Sequence, residues 1–319
     1  MRVCREEIIS ALNAPDFTEY FKKADAMRRE AVGDIVHLRA IIEFSNHCFR
    51  NCAYCGLNCK NKSLKRYRME PEEIISCGKE ACSAGYKTLV LQSGEDKFYT
   101  KEIIGQIVQE LTSCGVTVTL SCGERTDDEY AYWRDCGAKR YLLKHETADS
   151  NLYADLHPGY TLSERLSCLE AIKKLGYETG SGFMIGLPGE CAESIADNII
   201  LLDKLDCDMA GIGPFIPHPE TEMRNHKAGS VTITQKAVSL IRILRPHMNL
   251  PATTALGVRN KEAYTEAFSR GANVLMKKVT PAKYRSLYEI YPTEIKIADI
   301  RDERASLCEF IKSLGRIPE

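Results

Sequence analysis

Residues 72–92 read EEIISCGKEACSAGYKTLVLQ: a helical stretch to Ala84, a glycine at position 85, then the short β-branched and apolar run 88–92. The same unit recurs along the chain. Strand candidates fall at 37–44, 88–92, 116–121, 140–145, 178–185, 209–213, 250–254 and 274–276. Helix candidates lie between them at 72–84, 101–114, 127–136, 162–175, 192–205, 234–244 and 261–269, with a last helix at 302–314. Ala84-Gly85, Cys114-Gly115, Cys136-Gly137, Leu175-Gly176 and Arg270-Gly271 close successive helices, where a glycine accepts the left-handed conformation at low cost. Strict alternation of this kind implies parallel strands joined by right-handed crossovers. Eight strands predict an α/β fold, a (β/α)8 TIM-type barrel over residues 36–319 that includes the C-terminal helix. Residues 1–35 read as an N-terminal helical extension that closes the bottom of the barrel. A doubly wound open sheet is the alternative.

The composition excludes several classes. Hydrophobic residues make up 44% and charged residues 27% of 319 positions, ordinary for a globular protein. Lys+Arg is 43 and Asp+Glu 44, a formal net charge of −1, which argues against a dominant nucleic-acid or anionic-membrane surface. No apolar run reaches the ~18 residues of a membrane span. The opening MRVCREEIIS is charged and lacks the apolar core of a signal peptide. Cytoplasmic location is therefore expected, with no nucleic-acid or membrane partner. Fourteen cysteines are then mostly free thiols in a reducing, anaerobic setting, some of them metal ligands. Cys82, Cys114, Cys136, Cys168 and Cys207 fall in apolar patterns and read as small buried hydrophobes.

In a barrel the chemistry lies at the C-terminal strand ends and in the loops that follow. Directly after the first strand comes Cys48-Phe-Arg-Asn-Cys52-Ala-Tyr-Cys55. Thiolates select iron–sulfur clusters or zinc. With Cys59 as a fourth ligand the set is a closed zinc site; with three cysteines, a four-iron cube keeps one iron open for chemistry.

This spacing, after the first strand of an α/β barrel, resembles the radical S-adenosylmethionine superfamily. The resemblance implies one 4Fe–4S cluster on Cys48, Cys52 and Cys55. It implies that S-adenosylmethionine chelates the open iron and is cleaved reductively to a 5′-deoxyadenosyl radical. It places Tyr54 along the adenine and the Ser93-Gly94-Glu95 segment at the methionine amino group. Glu146 would bind the ribose or the amino group, and Arg165 a carboxylate. Met184, Gly186 and Leu187, in Gly182-Phe-Met-Ile-Gly-Leu-Pro-Gly189, resemble the glycine-rich strand that meets the adenine.

Further segments narrow the resemblance. Tyr67-Arg68-Met69, Leu91-Gln-Ser-Gly-Glu-Asp96, Arg140-Tyr-Leu-Leu-Lys-His-Glu-Thr147, Gly211-Ile-Gly-Pro-Phe-Ile-Pro-His-Pro219 and Pro251-Ala-Thr-Thr-Ala255 are similar to the HydE family of FeFe-hydrogenase maturases. Biotin synthase and methylornithine synthase share the chassis and supply the alternative, a substrate that is a small amino acid or sulfur compound. The strand pattern puts Arg140, His145, Thr253 and Thr254 on walls of a small polar cavity, with Met209 and Met276 beside them and Tyr288 and Tyr291 over its mouth. The implied partners are a small-molecule or small metal-complex substrate and an electron donor such as ferredoxin or flavodoxin. Two departures bear on the substrate. Lys144 stands where the family has arginine, and residues 276–281 read MKKVTP where the family carries MPNWTP. After Pro292 there is only Cys308, and one thiol cannot hold a second cluster.

Overall fold

The computed structural model describes residues 4–292 and 299–319. Eight parallel strands carry the architecture: β1 (Ile35–Ser45), β2 (Thr88–Ser93), β3 (Thr117–Ser121), β4 (Arg140–Leu142), β5 (Glu178–Ser181), β6 (Met209–Ala210), β7 (Pro251–Ala252) and β8 (Val274–Lys278). They pair in the order β6-β5-β4-β3-β2-β1-β8-β7. A single parallel bridge between Met209 and Asn249 links the two edges into a nearly closed barrel. A doubly wound sheet is thereby excluded, because the order advances round a ring without reversing. Among the described residues no helix is long and apolar enough to cross a membrane.

The glycine punctuation does what the sequence predicts. Gly85, Gly115, Gly137, Gly176 and Gly271 all lie at positive φ, between 79° and 113°. Four expected strands, 140–145, 178–185, 209–213 and 250–254, are shorter than their runs by more than one residue. The run 178–185 breaks at Gly182, whose φ is 151° and where an added Cβ would stand 2.2 Å from the Gly211 carbonyl oxygen. Beyond the break Met184–Ile185 pairs with Gly213–Pro214 in a separate two-stranded ladder. The run 250–254 ends because the Thr253 side chain accepts from Leu256 N and caps a helix, Thr254–Arg259. Ser150–Leu156, capped by Asp149, is a second helix too short to show as a periodic pattern.

β1 is buried on both faces. Val36, Leu38, Ala40, Ile42 and Phe44 face the helix layer and join the main core. Arg39 and the alternate positions face inward, since Arg39 reaches across the barrel to donate to Met209 Sδ at 3.1 Å. The helices Arg5–Asn13 and Thr18–Val32 pack against Ala192–Lys204 and Val231–Leu244, burying Ile8, Leu12 and Phe17. Ile317–Pro318 pairs beside the first residues of β1, so the final residues cover this part of the barrel's lower rim.

Candidate active site

The loop after β1 is fastened by two residues that carry no family signature. Asn46 donates through Nδ2 to the carbonyls of Lys65 (2.9 Å) and Leu287 (2.7 Å). The Arg66 guanidinium donates to the carbonyls of Asn46, Leu57, Asn58 and Asn61. A loop with few internal ladder bonds is thereby held by side chains. The loop packs on the end of β2 at Gly94, where a Cβ would lie 2.2 Å from His47 O and 2.8 Å from Cys48 Cβ.

Cys48, Cys52 and Cys55 are free thiols, each half-buried. Burial raises the Cys52 thiol well above its ordinary range, and Cys55 and Cys48 add to the rise. Burial pushes Cys55 up to about 12, and Cys48 contributes again. Each thiol therefore resists ionisation in the presence of the others. As thiolates the three need positive charge between them, which an iron–sulfur core supplies. Among the described residues no three His, Cys, Asp or Glu side chains converge as ligands of a single metal ion.

Beside the thiols sits a buried charge network. Arg50 donates from Nε to Glu95 Oε2 and from Nη2 to Glu124 Oε2, both at 2.6 Å, and lies 3.4 Å from the Tyr160 ring centroid. Arg165 donates from Nε to Glu124 Oε1 and from Nη1 to Lys144 O, both at 2.6 Å. Burial lifts the Glu95 carboxyl above its usual range even though Arg50 pulls it down. Glu95 itself touches the end of β3: a Cβ on Gly123 would sit 2.0 Å from its Cγ.

The third group is Tyr54, Glu146 and His157. The Tyr54 hydroxyl is 3.4 Å from Glu146 Oε1 and 3.2 Å from His157 Nε2. Glu146 adopts φ 63°, rare for a non-glycine residue. Its carboxylate meets Lys144 Nζ at 2.9 Å. Burial opposes ionisation there, yet Lys144 brings the Glu146 pKa below its ordinary value. Tyr54 also packs against an apolar group made by Ala53, Leu156, Met184, Leu187, Phe215 and Met223. Gly186 N donates to Glu190 Oε2 at 2.6 Å, and a Cβ on Gly186 would meet Gly229 Cα at 2.3 Å. Ser93 is buried, its Oγ donating to Gly94 O at 2.7 Å.

Cys48, Cys52, Tyr54, Cys55, Ser93, Gly94, Glu95, Glu146, Arg165, Met184, Gly186 and Leu187 thus gather at the C-terminal end of the barrel. The residues expected on the cavity wall divide. Arg140 is the first residue of β4, at the floor, bound to Glu178 Oε2 at 2.5 Å and to Thr88 Oγ1. His145 is fully buried and turned outward: Nδ1 meets Ser181 Oγ at 2.9 Å and Nε2 meets Asn198 Oδ1 on an outer helix. Thr253 is a helix cap and Thr254 is exposed on that helix rather than on a strand wall. Thr254, Met276 and Tyr288 border a cavity of about 920 Å³ along the C-terminal end of β8. Met209 lies inside the barrel as the acceptor from Arg39. Tyr291 is half-buried, and burial with Glu43 nearby raises its hydroxyl.

The alternation of β1 contained residues that motif reading passed over. Glu43 is 2% exposed, its Oε1 is 2.8 Å from Lys278 Nζ, and its Oε2 has no hydrogen-bond partner among the described residues. Lys278 borders the cavity and lies 5.9 Å from the Tyr288 ring centroid. Gln92 Nε2 donates to Tyr288 Oη at 3.3 Å. Polar residues at 37, 39, 43 and 45, alternate positions of a strand buried on both faces, are the signal.

His145 and His157 give the fold a pH limit. Burial lowers both from 6.5 to about 4. Their folded pKa lies below the unfolded value, so the unfolded chain takes up protons first as pH falls. Stability is full above about 6.5 and is expected to fall between 6.5 and 4, by on the order of 3 kcal/mol for each histidine. Urea unfolding across this window checks it, and His145→Gln should flatten the slope.

Comparison with known proteins agrees with the geometry. Residues 42–202 match the family model of the Radical SAM superfamily. The chain is 49% identical over 319 residues to the FeFe hydrogenase maturase subunit HydE of Thermotoga maritima, covering 98% of this chain and 91% of HydE. It is 27% identical over 274 residues to 3-methylornithine synthase of Methanosarcina acetivorans, covering 84% and 76% of the two chains. The crystal structure of methylornithine synthase superposes with a TM-score of 0.89 at 24% identity, covering 100% of this chain and 95% of that one. The HydG maturase from Carboxydothermus hydrogenoformans superposes with 0.86 at 22% identity, covering 100% and 76%. At those identities the two structures establish the fold. Enzymes of this superfamily use S-adenosylmethionine and a 4Fe–4S cluster held as a rule by three cysteines, and the donor set here fits that group. The chain belongs to the radical S-adenosylmethionine superfamily and is, within it, a HydE-like enzyme.

Proposed function

We propose that this enzyme turns S-adenosylmethionine into a 5′-deoxyadenosyl radical and directs it at a small substrate inside the barrel, as a step in FeFe-hydrogenase maturation. The observation that carries the reading is the placement of three mutually repelling thiols in the loop after β1, the first of them, Cys48, packed against Gly94. Cys48, Cys52 and Cys55 would hold a 4Fe–4S cluster, which when bound would supply the reducing electron for S-adenosylmethionine cleavage. The chain does the rest by position. Tyr54, Met184 and Leu187 form an apolar wall for the adenine. Gly94 permits close backbone approach to the methionine amino group. Glu146, kept ionised by Lys144, accepts from the ribose or the amino group. Arg165 spends Nε and Nη1 on protein partners and keeps Nη2 for the carboxylate. Burial of this rim keeps water from the radical. A protein reductant delivers the electron, and a cytoplasmic location is part of this reading.

The test is substitution for HydE. A hydrogenase maturation reaction that lacks HydE should regain hydrogen evolution when this chain is added. A chain that cleaves S-adenosylmethionine but leaves hydrogenase inactive would shift the substrate to the second reading, a small amino acid. The Glu43–Lys278 pair favours that reading, because its free carboxylate oxygen asks for a donor such as an ammonium group. Under either reading Lys278→Met should lower substrate turnover by about tenfold to a hundredfold, the loss of one buried charged contact. Affinity for S-adenosylmethionine should stay within about twofold, well inside one such contact. Equilibrium binding and product assays separate the two.

A further inference from the structure

We propose that the outer lip of the barrel beside Cys48, formed by Phe49, Lys97 and Phe98, is the docking surface for the small acidic electron-carrier protein that reduces this enzyme. The proposal rests on the cluster assignment above and names the partner's footprint. Phe49 is 42% exposed and Phe98 46%, while Phe17, Phe44, Phe183, Phe215 and Phe268 are buried. Each ring has a cation beside it. Lys97 Nζ lies 5.0 Å from the Phe49 centroid, and Arg68 Cζ lies 4.8 Å from that of Phe98. Exposed aromatics flanked by arginine and lysine are the make-up of interface centres.

The place matters as much as the composition. Phe49 follows Cys48 directly, and its N donates to Glu95 O at 3.1 Å. Lys97 and Phe98 continue from the same Glu95 loop. The patch therefore covers the junction of the cysteine loop with the Glu95 loop that packs on it. An electron arriving here has a short path to Cys48, and no proton or bond change accompanies it: the carrier is oxidised and the cluster reduced by one electron.

Charge decides the partner. Residues 46–68 contain six Lys or Arg and no Asp or Glu, in a chain whose net charge is −1. Asp96 is taken up by Arg68 and Ser45. Glu222 faces Lys60, and Glu220 accepts from Ser63. Lys62, Lys65 and Lys97 are exposed and, among the described residues, have no carboxylate within ion-pair distance. Unpaired Lys97 at the Phe49 ring, with the basic segment 60–68 that leads into Arg68, therefore favours an anionic protein and speeds its approach at low salt.

The test uses reconstituted holoenzyme and a bacterial ferredoxin reduced by NADPH and its reductase. Binding is read by calorimetry at two salt concentrations, and 5′-deoxyadenosine is measured with ferredoxin or dithionite as the electron source. The wild-type Kd should rise with salt. Phe49→Ala/Phe98→Ala and Lys97→Glu should each raise Kd about tenfold or more, and slow ferredoxin-driven product formation to match. Dithionite-driven formation should not change. Unchanged ferredoxin Kd and rate in both variants, absence of wild-type binding, or an equal fall with both reductants would overturn the proposal. Wild-type enzyme that forms no product with dithionite would instead count against the cluster assignment, while the Kd comparison still judges the docking surface.

Discussion

Cys52→Ala is expected to lose the brown chromophore, most of the bound iron and at least about a thousandfold of S-adenosylmethionine cleavage, equivalent to ~4 kcal/mol or more of transition-state stabilisation. The reason lies in the donor count. Three half-buried thiols repel one another's ionisation, and they ionise together only around a cationic core. Removing one leaves two ligands for a cube that needs three. Cys59→Ala is the matched control. Its backbone N donates to Arg50 O at 2.9 Å, a bond any residue can make. Iron content, visible absorption and 5′-deoxyadenosine should match wild type. Iron retained in Cys52→Ala, or lost in Cys59→Ala, would mean that the ligand set has been misassigned.

The second large effect is expected at Arg50. This guanidinium is 5% exposed and joins the cluster loop to Glu95 on the β2 loop and to Glu124 beyond β3. Arg50→Ala keeps Glu124 paired with Arg165 but leaves buried Glu95 without its ion-pair partner among the described residues. Breaking a buried pair from one side costs about 3–5 kcal/mol. Denaturant unfolding of the apo-protein should show that loss. The holoenzyme should also bind S-adenosylmethionine at least about tenfold more weakly, ~1.4 kcal/mol, because Glu95 no longer has a fixed place. Arg50→Lys should recover part of the stability and little of the affinity, since one ammonium cannot span both carboxylates as a planar fork does. A stability change within about 0.5 kcal/mol for Arg50→Ala would reduce the network to surface charge.

Much of the barrel was legible because its signals are local. A helix that ends at Gly85 or Gly176 and a β-branched run beside it require only short-range sterics, and every such glycine has the expected sign of φ. The cluster loop was legible because cysteine spacing is a local pattern too. What stayed hidden depends on the far side of the ring. Thr253 looks like a strand residue until its hydroxyl caps a helix, and His145 looks like a wall residue until Ser181 and Asn198 turn it outward. Arg140 keeps its inward direction but starts its strand, so it falls to the floor. The Glu43–Lys278 and Arg50–Glu124 pairs join residues over 200 and 70 positions apart, distances at which no spacing rule operates. The resemblance to radical enzymes supplied the roles, and the structure supplied the network that keeps those roles in place.

The most direct test is anaerobic. The protein is reconstituted with iron and sulfide, reduced with dithionite and given S-adenosylmethionine, and 5′-deoxyadenosine is quantified. Product that depends on the cluster and is missing in Cys52→Ala is the predicted result. A protein that takes up zinc in place of iron, or an iron-loaded protein that forms no 5′-deoxyadenosine with or without candidate substrates, would contradict it.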